Sequence, residues 1–156
     1  MARHHASAAA RAFVALLLVA SAATVLVGCS SSSTSSVDIP ANGDAASGAK
    51  IFSQGQTASG PVAFTGGGPT TGNGACMNCH GANAEGKFAP SITYDQLLGK
   101  TKTAKSPRFV FASDSQIYTA VTEGVAPNGS QLRPAMPKFK LAPQDLADLL
   151  AFLKTK

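Results

Sequence analysis

Tryptophan is absent, tyrosine occurs twice, and Asp, Glu, Lys and Arg together make up only 13% of the 156 positions. The formal charge of +5 is carried by basic residues that stand singly. The chain therefore lacks the clustered basic and aromatic surface on which nucleic acids bind, and no nucleic-acid partner is expected. Scarce charge is matched by 44% apolar residues, a balance that excludes a wholly disordered chain. At this length one domain of ordinary size is expected, with no room for two large catalytic halves. The run Gly66-Gly67-Gly68-Pro69 has no GK[ST] ending and no strand-to-helix pattern around it, so it does not read as a phosphate-binding loop. Histidine, cysteine and methionine are rare, three of each, and that rarity makes their positions informative.

What is present begins with an export pattern. Arg3 and Arg11 precede an apolar or small-residue stretch from Ala12 to Val27, followed by Gly28 and Cys29. As a helix these 16 residues reach about 24 Å, short of the roughly 30 Å hydrocarbon core, which favours a cleaved signal over a stable span. Leu26-Val27-Gly28-Cys29 resembles the lipobox of bacterial lipoproteins, which implies a signal peptide over 1–28 and acylation of Cys29. An ordinary secretory signal that happens to contain Cys29 is the alternative. Several acyl chains, each buried CH₂ contributing about 0.8 kcal/mol, would anchor the protein to an extracytoplasmic membrane face, inner or outer. Residues 29–43 include Ser30 to Ser36, a polar low-complexity tract expected to act as a flexible tether. Loss of Arg3 and Arg11 with no acid would lower the charge from +5 to +3, and loss of His4 and His5 would leave His80 as the one histidine.

The domain is expected over 44–156. Asp44 is placed to cap a helix in which Ala45, Gly48, Ala49 and Phe52 share a face. Residues 53–75 are rich in Gly, Thr, Ser and Pro, with Val62 and Phe64 as their bulky apolar residues, and read as a long loop. Ser113 to Gly124 reads as a short helix with Ile117, Tyr118 and Val121 inward. From Leu141 onward, Pro143 suits a first helical position, Leu141 and Leu146 suit a hydrophobic staple, and Leu146, Leu149, Leu150 and Leu153 form one stripe. Ala142 is a poor N-cap for it.

Cys76-Met77-Asn78-Cys79-His80 carries the chemistry. Two thiols two residues apart, followed at once by histidine, are the spacing of a c-type haem attachment site. One helical turn lets both sulfurs reach the vinyl groups of one porphyrin while the adjacent imidazole reaches its iron. Zinc would need four ligands, typically Cys and His, and after these three residues the mature chain has only Cys29 left of those types, which acylation would consume. A Cys76–Cys79 disulfide or a thioredoxin-like redox pair is the other rival, although the βαβ pattern expected around such a motif is missing. For the sixth iron position, Met77 lies within the attachment turn, which leaves Met136. It sits in Arg133-Pro134-Ala135-Met136-Pro137, where two prolines stiffen an extended arm. The alternative is that Met136 fills the core, leaving the iron open or weakly ligated.

Over roughly Asp44 to Lys154 the chain resembles a class I c-type cytochrome: Gly48 and Phe52 in the first helix, the haem motif, Met136-Pro137 and the closing helix all match. That resemblance implies an all-α fold of three to five helices around one covalent haem c, with Cys76 and Cys79 as thioethers and His80 and Met136 as axial ligands. Pro90 resembles the family proline whose carbonyl orients the ligand histidine, though Ala89 stands where glycine is usual. The departure is the long 53–75 insertion, whose role is open between covering a haem edge, docking and mere mobility. The implied function is single-electron carriage between redox partner proteins, not catalysis. An electron-transfer subunit of a larger oxidase or dehydrogenase, and a haem sensor with displaceable methionine, are the alternatives. Lys87, Lys100, Lys102, Lys105, Arg108, Lys138 and Lys140 either steer an acidic partner or merely solubilise the surface.

Overall fold

The computed structural model describes residues 37–156. The expected signal segment 1–28, Cys29 and the tether as far as residue 36 lie outside the described residues. Helix α1 (Ala45–Gln54) starts where Asp44 Oδ1 accepts from the Ser47 amide at 2.6 Å, and stops at Gly55, whose φ of 62° turns the chain out of the helix. Helix α2 (Met77–His80) is one turn, as is α3 (Tyr94–Leu97). Helix α4 (Asp114–Glu123) is capped by Ser113 and ended by Gly124 at φ 71°. Helix α5 (Pro143–Leu153) closes the chain with Pro143 in its first turn. Ala142 has no capping side chain, and Asp145 compensates by accepting from the Ala142 amide at 3.0 Å.

The core joins α1, α4 and α5. The expected stripe on α5 is buried, with Leu146 and Leu150 almost fully enclosed and Leu141 buried beside them. On α1 the inward residues are Gly48, Ile51 and Phe52. Helices α1 and α5 cross with no spacer: a Cβ at Gly48 would overlap the Asp148 carbonyl of α5, and one at Gly43 the Ala147 carbonyl. The Asp44 amide donates to Asp148 Oδ1 at 2.8 Å, and the Phe52 and Phe152 rings meet at 5.1 Å, tilted by 41°. No helix among the described residues is long and apolar enough to cross a membrane.

The architecture is helical, but 53–75 is not the single long loop expected of it. It holds a tight antiparallel pair, β1 (Gln56–Thr57) with β2 (Gly60–Pro61), and a strand β3 (Ala63–Thr65) that pairs antiparallel with β4 (Lys138–Lys140). Burial explains the second pair. Phe64 and Phe139 face each other across the ladder at 5.9 Å between ring centroids, while Ala63, Thr65, Lys138 and Lys140 are exposed. Three-residue strands carry too little period-two signal to stand out among neighbouring glycines.

Candidate functional site

His80 is placed by backbone geometry. The Cys76 carbonyl accepts from the His80 amide at 2.9 Å, forming the turn that carries Cys76 and Cys79 on the same side of the chain as the imidazole. The chain then loops back, held by Gly86 N to the His80 carbonyl at 2.7 Å and by the fully buried Ser91, whose hydroxyl donates to the Ala84 carbonyl at 2.8 Å. This loop delivers the Pro90 carbonyl to 2.7 Å from His80 Nδ1. That contact makes Nδ1 the donor and leaves Nε2 as the free, unprotonated nitrogen.

Nε2 of His80 is buried and has no hydrogen-bond partner. Such an orphaned polar atom costs about 1–3 kcal/mol unless something binds it. Burial pulls the imidazole pKa below its ordinary 6.5, against an opposing pull from the Pro90 carbonyl, so the ring is neutral and able to ligate at neutral pH. Burial also pushes the Cys76 thiol up to about 12. Cys76 and Cys79 are free, with no disulfide between them. Thr70 Oγ1 lies 3.3 Å from Cys79 Sγ.

These residues open on a cavity of about 800 Å³, within the range that encloses a cofactor-sized ligand. Its wall includes Cys76, Cys79, His80, Pro90 and Met136, so every expected site residue among those described reaches the same space. Met77 is not part of that wall; it packs against the core. Leu97, Phe111, Ile117, Leu149 and Leu150 supply much of the apolar lining. Among the described residues no three His, Cys, Asp or Glu side chains converge as ligands of a metal ion held by protein alone, which disfavours zinc. An unpartnered imidazole nitrogen, two thiols in the adjoining turn, a thioether on the wall and an apolar enclosure together fit haem c.

The structure sorts the basic residues that composition could not. Exposed Lys87, Lys105 and Arg108 lie on the cavity wall, together with Arg133, which the sequence reading did not single out. Lys100, Lys102, Lys138 and Lys140 do not. No Asp or Glu lines the cavity among the described residues. The insertion, whose role the sequence left open between covering a haem edge, docking and mobility, contributes the buried Val62, Thr71 and Ala75 to the wall. Val62 was visible as a lone bulky residue among small ones, but nothing local pointed it at the site.

A family model described as Cytochrome c matches residues 45–156. No curated protein and no solved structure matches the chain.

Proposed function

Because the chain belongs to the cytochrome c family and so transfers electrons with covalent haem c, we propose that it carries single electrons between redox partner proteins on the extracytoplasmic side of a bacterial membrane, anchored through acylated Cys29. Haem c, when bound, supplies an iron that alternates between two oxidation states one electron apart. The Cys76 and Cys79 sulfurs would hold it as thioethers. His80 Nε2 would ligate the iron, and the Pro90 carbonyl fixes the imidazole's tautomer and orientation while raising its basicity. Met136 would supply the second protein ligand, a pairing that would raise the reduction potential and disfavour binding of a substrate at the iron. The apolar wall would limit solvent access to the bound group and lower the dielectric around it. The buried, unpartnered Nε2 of His80, a residue that lines the same cavity as Cys76, Cys79 and Met136, is the observation that carries this reading.

Carriage requires a partner, and charge supports its chemistry. Lys87, Lys105, Arg108 and Arg133 surround a cavity wall without acids, so an acidic docking face is favoured. The anchor is supported by the export pattern of residues 1–28 and by the resemblance of Leu26-Val27-Gly28-Cys29 to a lipobox.

The testing experiment is direct. The exported full chain, produced in a host competent in cytochrome maturation, is purified from the membrane fraction for reduced and oxidised visible spectra and for its mass under denaturing conditions. A reversible c-type spectrum, with the mass of one haem retained after denaturation and of acyl chains at Cys29, is expected. A colourless product with unmodified Cys76 and Cys79 refutes the function, and Cys29→Ser staying membrane-bound refutes the anchor.

A further inference from the structure

We propose that the 53–75 insertion holds the methionine arm in place, with Phe64 as a positioning residue for Met136; this rests on Met136 being the iron ligand. Strand β3 pairs with β4, and β4 begins at Lys138, two residues beyond Met136. The register Ala63 to Lys140, Phe64 to Phe139 and Thr65 to Lys138 ties the insertion to the chain immediately after the arm. The Phe64 ring packs on Phe139 at 5.9 Å and lies where a Cβ at Gly74 would intrude, 2.8 Å away, so glycine makes room for the ring.

The insertion's other end is fastened to the attachment turn. Asn78 Nδ2, between the two haem cysteines, donates to the Thr71 carbonyl at 3.2 Å and to Asn73 Oδ1 at 3.3 Å. Asn73 Nδ2 in turn donates to the Gln54 carbonyl at the end of α1, at 2.8 Å. One segment thus bridges the turn bearing His80 and the strand leaving Met136. The arm is also held by Leu132 N to the Gly124 carbonyl at 2.7 Å, by buried Pro137 and by packing of Leu132 and Met136 on the core, and β4 packs on α4 as well as on β3.

A thioether is a weak ligand, so an added ligand competes with it in proportion to the fraction of molecules whose arm has swung away. Loosening the arm raises that fraction and tightens apparent binding of the competitor by the same factor. Truncating Phe64 removes an aromatic pair, and the expected change is about fivefold, the factor equivalent to ~1 kcal/mol at 25 °C.

The test titrates ferric holoprotein with imidazole, followed through the long-wavelength sulfur-to-iron charge-transfer band. Phe64→Ala is expected to lower the apparent Kd about fivefold. Phe64→Leu, which keeps an apolar contact, should restore most of it, and Ser59→Ala at the β1–β2 turn should leave it unchanged. An unshifted Kd in Phe64→Ala, or an equal shift in Ser59→Ala, overturns the proposal. Should Phe64→Ala not mature, backbone hydrogen exchange of the wild-type holoprotein decides: imidazole is expected to accelerate exchange at 63–65 together with 138–140. Acceleration confined to 132–140 overturns it. A wild-type protein lacking the band, or a Met136→Ala protein retaining it, instead overturns the ligand reading on which the proposal stands.

Discussion

Substituting Gly48 by alanine sets two effects of opposite sign against each other. Alanine in a helix interior is favoured over glycine by about 0.5–1 kcal/mol, because the glycine backbone loses more freedom on folding. Against this, the new Cβ would overlap the Asp148 carbonyl of α5 and lie 2.9 Å from Phe152 Cβ. A main-chain carbonyl inside a helix cannot swing aside as a side chain can, so the helices must part. Overpacking of this kind costs about 1–3 kcal/mol. Separation also loosens the Phe52–Phe152 pair, now at 5.1 Å, whose geometry is worth about 0.5–1.5 kcal/mol. Overlap wins, with net destabilisation of about 2 kcal/mol. Urea unfolding of the ferric holoprotein measures it: at a slope of ~2 kcal/mol/M the midpoint falls by about 1 M, with the slope unchanged. A Gly48→Ala protein as stable as wild type, or more so, would show that α1 and α5 do not meet backbone to backbone at this point.

Met136→Ala should abolish the ferric sulfur-to-iron band, lower the reduction potential and let the ferrous protein bind carbon monoxide; an unchanged spectrum and potential remove Met136 from the iron. Oxidation of the reduced protein by ferricyanide, an anion, should slow as salt rises and slow a few-fold at low salt in Arg108→Glu, while a cationic cobalt(III) oxidant responds oppositely; matching trends for both oxidants would deny the wall cations a steering role. Asp44 is held below its ordinary pKa of 3.8, chiefly by the Ser47 amide, so between that lowered value and 3.8 the unfolded chain binds more protons than the folded one. Its contribution is therefore complete above pH 3.8 and lost as pH falls through the folded value, and the stability gap between wild type and Asp44→Asn should narrow there in equilibrium unfolding. A pH-independent gap would mean that the carboxylate's charge is irrelevant to the cap.

Much of this molecule is written in short stretches of sequence. The spacing of Cys76, Cys79 and His80 names the cofactor because one helical turn sets where three side chains point. Asp44 and Ser113 announce helix starts, Gly124 a helix end, and Leu146, Leu149, Leu150 and Leu153 a buried stripe, since caps and periodicity act within a turn or two. The scarcity of methionine made Met136 a candidate without any structure. Other features emerge only on folding. Phe64 and Phe139 stand 75 positions apart, and three-residue strands declare no partner, so the bridge between insertion and methionine arm was invisible along the chain. Likewise no spacing rule separates Arg108 and Arg133, on the cavity wall, from Lys100 and Lys138, off it. Local sequence determined the haem turn and the helices because their forces act between near neighbours, whereas the walls of the site depend on contacts between segments that meet only once the whole chain has closed.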